Sequence, residues 1–311
     1  MQQRYLCFAL LATFLMLPIL SQSQGRTIIE LDTNWKFQKG IHNKAFAIDF
    51  DDTKWETVTV PHDWAIYGPF DKEVDKQLVK IEQNGEEVAT EKTGRTGALP
   101  HIGQAWYRND FSLSEFEEGK KVILLFEGAM SEPKVYINSE KVGEWNYGYS
   151  YFYFDITKYV SKGKNSIAVQ LTNRELSSRW YPGAGLYRKV SVILKNEESI
   201  DQWGTFITTP FISDNLAKVN IKTKVTGEKL RMVTHVLDQN QDTVATNISE
   251  ADFGNEFEQN LAVSNPVLWS PENPYLYTAI SSLYKDNNIQ DAVKQKFGIR
   301  SIKYEPQKGF S

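Results

Sequence analysis

From residue 25 onward the chain alternates short runs of β-branched and aromatic residues with clusters of Gly, Pro, Asn and Asp, and no long stretch carries a helical period. That pattern predicts an all-β protein. Val122 to Phe126 is continuously apolar, which suits a strand buried on both faces, whereas Ile167, Val169 and Leu171 alternate with more polar neighbours. Asn84-Gly85, set between Leu78 to Ile81 and Val88, is the favoured chemistry for a tight turn and predicts a β-hairpin excursion. Further on, Val219, Ile221, Thr223 and Val225 alternate with Lys218, Asn220, Lys222 and Lys224. Leu230, Met232 and Val236 continue this pattern, and Leu276, Thr278 and Ile280 repeat it after the proline-rich stretch from Asn265 to Pro274. Together these segments predict an immunoglobulin-like sandwich. The polar stretch from Lys195 to Gln202 divides the chain, giving domains at 24–200 and 201–303 with a tail at 304–311.

The first residues follow a different logic. Met1 to Arg4 precede a greasy run from Tyr5 to Leu20 and then the small and polar Ser21 to Gln24, the order of a secretory signal peptide. Residues 1–23 are therefore expected to be removed, leaving a protein that is periplasmic or secreted and not held in a membrane. An uncleaved anchor is the alternative. The greasy run is shorter than the roughly 20 residues a membrane span needs. Cys7 lies inside it, and the chain has one cysteine in all, so the processed protein uses neither disulfides nor a thiol nucleophile.

Length and composition sharpen the picture. A chain of 311 residues suggests two domains. An apolar fraction of 41% and an aromatic fraction of 13% exclude a disordered chain. Lys and Arg number 35 against 39 Asp and Glu, a net charge of −4 that offers nothing to nucleic acid or to anionic lipid.

Hydrolysis of a glycoside needs two carboxyl groups facing each other across the bond, and spacing along a chain cannot establish such a pair. Asn196-Glu197 and Asn255-Glu256 sit in polar segments between β runs and read as solvated surface. His42, His62, His101 and His235 have no close metal-ligand spacing, and Gly183-Ala184-Gly185 is a turn signal without the strand-to-helix context of a dinucleotide loop. No catalytic residue, metal or cofactor is assigned. Aromatic clusters are more informative, because the C–H faces of sugar rings pack on aromatic rings while their hydroxyls seek polar partners. Trp145 to Phe154 is one such cluster, in which alternation sends part of the aromatics to the core. Arg179, Trp180 and Tyr181 form the other, just before Pro182-Gly183, where a rim loop is expected. They are the candidate substrate-binding residues.

Taken as a set, Asn34-Trp35-Lys36-Phe37, Val60-Pro61-His62-Asp63-Trp64, Trp106-Tyr107-Arg108, Val135-Tyr136-Ile137-Asn138 and the run from Arg179 to Arg188 resemble the start of family 2 glycoside hydrolases. The likeness covers essentially the whole chain after the leader. Thr93 to Pro100 resembles secreted β-galactosidases of gut-type Gram-negative bacteria in particular. Asn138-Ser139 departs from the family's Asn-Gly and puts the form of that hairpin turn in question.

The resemblance implies a jelly-roll, galactose-binding-like domain and then an immunoglobulin-like domain ending near Phe297 to Arg300. In the family a (β/α)8 barrel with both catalytic glutamates follows, and that barrel is absent here. By the same resemblance Arg179, Trp180 and Tyr181 shape the subsite of the terminal sugar, with the loop from Gly97 to Gln104 beside them. The expected ligand is a carbohydrate with a terminal β-galactoside, and the expected partner is the missing barrel. The implied function is the non-catalytic front part of a retaining β-galactosidase-type enzyme. Its rival is a stand-alone carbohydrate-binding or assembly module. The sequence leaves open whether the protein is a homo-oligomer.

Overall fold

A computed structural model describes residues 25–74, 76–92, 97–99, 102–114, 119–174, 180–307 and 309–310. The leader at 1–23, Thr93 to Thr96, Pro100, His101 and Arg179 lie outside the described residues. Among the described residues the regular structure is β, with two short 3-10 turns and no α-helix. The strands assemble into two antiparallel sandwiches in tandem, in keeping with the all-β reading.

The first sandwich is the jelly roll. One sheet runs in the order Arg26–Glu30, Val190–Asn196, Lys120–Phe126 and Phe152–Asp155. The facing sheet runs Glu56–Val58, Trp35–Lys39, Gly103–Leu113, Gly163–Asn173, Lys134–Ile137 and Glu140–Glu144. Period-two alternation decides what fills the space between them. Val122, Leu124, Phe126, Val190 and Val192 come from one side; Trp35, Phe37, Tyr107, Val169 and Leu171 come from the other. Burying each such side chain contributes about 1.5–3 kcal/mol. Trp35 is fully buried and satisfies its indole N–H on the Leu31 carbonyl at 2.7 Å. In the strand Phe152–Asp155, Phe152 and Phe154 pack inward while Tyr151 and Tyr153, 49% and 41% exposed, face outward.

Two turns differ from their sequence expectation. Asn84-Gly85 does not make a two-residue turn. The strands Gln77–Val79 and Thr90–Lys92 do pair as a hairpin, but Glu82–Asn84 forms a 3-10 turn capped by Gly85 at φ 72°, so the connection is longer. At Asn138-Ser139 a tight turn with two positive φ angles forms without glycine. Asn138 and Ser139 take φ 48° and 76°, and the Ser139 hydroxyl accepts the Ile48 N–H at 2.8 Å.

The second sandwich is immunoglobulin-like. Three strands, Ser199–Ile212, Leu216–Thr226 and Glu256–Ser264, face four, Thr243–Ala251, Leu230–Leu237, Tyr277–Lys285 and Asn288–Phe297. Val219, Ile221, Thr223 and Val225 are all buried, as their alternation predicts. In Tyr277–Lys285 the register is one residue off the sequence reading. Tyr277, Ala279, Ser281 and Leu283 face the core, and Thr278 and Ile280 face outward. Small Ala279 and Ser281 masked the inward face. Ser281 is accepted there because Thr234 lies 3.0 Å away and also donates to Gln259 at 2.5 Å.

An ionic junction ties the sandwiches. Arg26 sends two nitrogens to Asp291, at 2.9 and 2.6 Å, and the Asp291 side chain is fully buried. Asp291 also accepts the Ile200 N–H at 2.9 Å, while the Ile200 carbonyl accepts from Arg26 at 3.1 Å and from Lys195 at 2.9 Å. Burial, aided by the nearby Arg26 charge, pushes the Lys195 ammonium below its ordinary pKa. The Asn196 side chain donates to the Gln290 carbonyl at 2.7 Å, and Lys285 pairs with Glu198.

Candidate functional site

At one loop end of the jelly roll, the segment from Trp180 to Arg188 is clamped by backbone it meets from three directions. Met130 and Gly185 exchange two hydrogen bonds, at 2.9 and 2.8 Å. His62 N–H donates to the Leu186 carbonyl at 2.8 Å and Trp64 N–H to the Ala184 carbonyl at 2.9 Å. The Tyr187 hydroxyl donates to the Gly148 carbonyl at 2.9 Å, which brings in the aromatic loop after Trp145. Gly185 permits the closest approach. Its φ is +132°, and a Cβ there would run into the His62 carbonyl and sit 2.5 Å from the Tyr107 hydroxyl.

Asp63 is the hub of this clamp. Its carboxylate accepts N–H groups from Ala65 at 3.0 Å, Ile66 at 3.2 Å and, across the chain, Ala184 at 3.2 Å. It also accepts a short hydrogen bond from the Tyr181 hydroxyl. Burial first, and then the Asp63 carboxylate, push the Tyr181 phenol well above its ordinary pKa, so it stays a donor. Beside it the His62 Nδ1 lies 2.7 Å from the Tyr107 hydroxyl, and the His62 ring meets Phe37 edge-on at 4.8 Å. Burial lowers the His62 pKa against the pull of Glu56 and Asp63, and burial holds the Tyr107 phenol well above its usual range. Both groups are neutral at pH 7.

The clamp gives Trp180 and Tyr181 opposite roles. Tyr181 is half-buried against the core and engaged with Asp63. Trp180 is 60% exposed and sends its indole N–H to the Tyr149 hydroxyl at 2.8 Å. Trp180 and Tyr149, with Tyr147, Asn146, Glu132 and Asn173 among others, line a cavity of about 280 Å³. Asn173 is buried there, accepting the Ser131 N–H at 2.7 Å and donating to the Gly183 carbonyl at 3.4 Å. At the rim Arg174 forks onto Glu132 at 2.8 and 2.9 Å. An aromatic wall flanked by amides, hydroxyls and a charged fork is the chemistry that grips a sugar ring.

Glu132 is the single carboxylate among the described lining residues, and Arg174 occupies it. Glu197 and Glu256 are exposed, away from the cavity lining. No group of three or more His, Cys, Asp and Glu suited to a metal ion occurs among the described residues. Tyr149 lies in the aromatic cluster the sequence singled out. Asp63 carried no such signal, because its partner Tyr181 is 118 positions away.

Two sandwiches in tandem, the first opening an aromatic and hydrogen-bonding cavity at its loop end, define a carbohydrate-recognising assembly. The comparisons give it a family. The sequence model described as "Glycosyl hydrolases family 2, sugar binding domain" matches residues 28–196, and that described as "Glycosyl hydrolases family 2" matches residues 198–300. The chain belongs to glycosyl hydrolase family 2.

It is 32% identical over 293 residues to "Beta-galactosidase BoGH2A" of Bacteroides ovatus, covering 91% of this chain and 32% of that protein. It is also 32% identical over 282 residues to a "Putative beta-glucuronidase" of Formosa agariphila, covering 90% and 26%. Among solved structures, a β-glycosidase from Bacteroides vulgatus superposes with a TM-score of 0.78 at 29% identity, covering 92% of this chain and 35% of that one. The chain thus spans about a third of the length of the relatives it matches.

Proposed function

We propose that this chain supplies the sugar-binding and scaffolding front part of a β-galactosidase-type family 2 enzyme and holds a terminal β-galactoside against Trp180. The observation that carries the reading is the cavity in which Trp180, Tyr149 and the buried Asn173 converge on a space of sugar size. Relatives named as β-galactosidases support the choice of sugar. Others are named as β-glucuronidases, which makes a glucuronide the natural competitor.

The chemistry of bond cleavage lies elsewhere in this account. A retaining glycosidase needs two carboxyl groups about 5 Å apart, and the one described carboxylate at this cavity is committed to Arg174. In the proposed enzyme a (β/α)8 barrel closes over the Trp180 loop and carries both acids. Arg179, next to Trp180 in sequence, is by the same family likeness a further candidate for contact with the sugar, and the domain division at residues 200 and 201 separates the binding unit from the spacer. The leader pattern at Met1 to Gln24 supports export to the periplasm or beyond.

Calorimetric titration of the chain with methyl β-galactoside and methyl β-glucuronide tests the reading. Preferential binding of the galactoside, lost in Trp180→Ala, is expected, with no turnover of a chromogenic β-galactoside by the chain alone. Turnover by the isolated chain contradicts the assignment of the chemistry to a barrel. Preference for the glucuronide contradicts the choice of sugar.

A further inference from the structure

The outer face of the larger jelly-roll sheet carries a second cavity, apart from Trp180. Period-two alternation in Gly103–Leu113 turns Tyr107 and Phe111 into the core and Arg108 and Asp110 outward, and Ser166 of the neighbouring strand stands opposite Asp110. The 40–55 loop crosses this face. Arg108 holds it down, donating from Nε to Asp52 at 2.7 Å and from one terminal nitrogen to the Ala45 and Ala47 carbonyls. Between loop and sheet lies a space of about 420 Å³, walled by Ile48, Phe50 and Asp52 on one side and by Arg108, Asp110 and Ser166 on the other. Small-molecule sites commonly enclose about 300–1,000 Å³.

Two buried groups on this wall keep unused bonding capacity. Arg108 is 4% exposed, yet among the described residues its second terminal nitrogen meets no acceptor. Ser166 is 6% exposed; its N–H donates to Asn138, but its hydroxyl has no partner among the described residues. Buried polar groups are nearly always satisfied, so water serves these two in the free protein, and a ligand hydroxyl can replace each water.

The charges around the space select the ligand. Arg108 is paired with Asp52, and at the mouth Lys164 is paired with Asp110 at 3.0 Å. An anion would face both carboxylates and a cation both basic groups, so neither gains. A neutral ligand with adjacent hydroxyls uses both signs, donating to Asp52 and Asp110 and accepting from Arg108 and Ser166. Ile48 and Phe50 supply the apolar wall for its C–H edge, and Phe50 is braced by the Arg108 guanidinium 5.5 Å above its ring. Those are the requirements of a sugar ring. Ser166 and Asn173, which lines the Trp180 cavity, lie on one strand, seven residues or about 23 Å apart. Seven is odd, so they fall on opposite faces and the two cavities are separate.

We propose that the cavity between the 40–55 loop and Ser166 is a second sugar site, which binds one ring of a neutral saccharide independently of Trp180. Titrating 15N-labelled Trp180→Ala protein with galactose and glucose, and with glucuronate and glucosamine as charged counterparts, tests it through the Ile48 and Ser166 amide signals. At least one neutral sugar moves both signals saturably, and its charged counterpart binds at least fivefold more weakly. Ser166→Ala removes the open hydroxyl and weakens the neutral sugar about fivefold. Ser166→Val puts methyl groups into the space and abolishes binding; Ser166→Ala decides the matter if the valine protein fails to fold. With Trp180 restored, Ser166→Ala leaves the Trp180 indole response to methyl β-galactoside unchanged. Motionless Ile48 and Ser166 signals with every sugar, or an unaltered affinity in Ser166→Ala, overturn the second site and leave the Trp180 reading standing. Preference for glucuronate or glucosamine overturns it as well, because a balanced set of charges favours neither.

Discussion

Replacing Asp63 by alanine removes the hub that holds the Trp180 loop without touching the cavity lining. Four donors lose their acceptor: the N–H groups of Ala65, Ile66 and Ala184 and the Tyr181 hydroxyl. The two local N–H groups turn to water at little cost, so the loss is set by the two long-range bonds. A hydrogen bond to a charged group is worth about 1.5–3 kcal/mol, and these are half-exposed and coupled, so about 3 kcal/mol is expected for the pair. In a domain of this size that lowers Tm by roughly 6–12 °C. Exchange of the Ala184 amide, which loses its acceptor, speeds up about a hundredfold and outruns exchange of the amides in Lys120–Phe126. Sugar affinity falls with it, since the Trp180 wall is no longer fixed. Asp63→Asn keeps one acceptor oxygen and lies between. Hydrogen exchange by mass spectrometry beside a thermal melt reads both effects. An Asp63→Ala protein with unchanged exchange at residues 180–187 refutes the clamp.

Three further expectations follow from the same geometry. Gly185→Ala forces a side chain into the His62 carbonyl and onto a left-handed φ, costing about 3 kcal/mol or more in a urea melt. Because burial sets the folded-state pKa of His62 below its ordinary 6.5, the unfolded chain takes up that proton first. The contribution of His62 is therefore complete above about pH 6.5 and drains away as pH falls below it, and His62→Gln flattens this part of the profile between about pH 7.5 and about pH 5. Asp291→Ala takes from Arg26 its carboxylate partner and from the Ile200 N–H its acceptor at the domain junction. It costs about 3–5 kcal/mol and splits a single calorimetric transition in two; one undivided transition at the parent temperature counts against the junction.

Local features were legible along the chain wherever one residue's neighbours decide its fate. The unbroken Val122 to Phe126 run does bury nearly every side chain, and the alternation in Val219 to Val225 gives the correct buried face. The pattern misled in Tyr277–Lys285, where alanine and serine face the core and a larger isoleucine does not. It also misled at Asn84-Gly85, where a 3-10 turn intervenes and the loop is longer than the dipeptide implies.

Features built from distant residues were not legible at all. Asp63 meets Tyr181 from 118 positions away, and Arg26 meets Asp291 from 265. Nothing local distinguishes either carboxylate from those on the surface. For the candidate site, the chain singled out the loop at Trp180 but not the division of labour within it. Adjacent side chains diverge there, Trp180 to the cavity and Tyr181 to Asp63, because the clamp, and not a strand period, sets their directions.

The central claim is that a sugar ring sits against Trp180 in this chain by itself. Titration of the 15N-labelled protein with methyl β-galactoside, observing the indole N–H signals, tests it most directly. The Trp180 signal, identified by its loss in Trp180→Phe, should move saturably with a dissociation constant tighter than about 10 mM, while the buried Trp35 signal stays fixed. A motionless Trp180 signal at saturating sugar, or equal shifts at both indoles, contradicts the account.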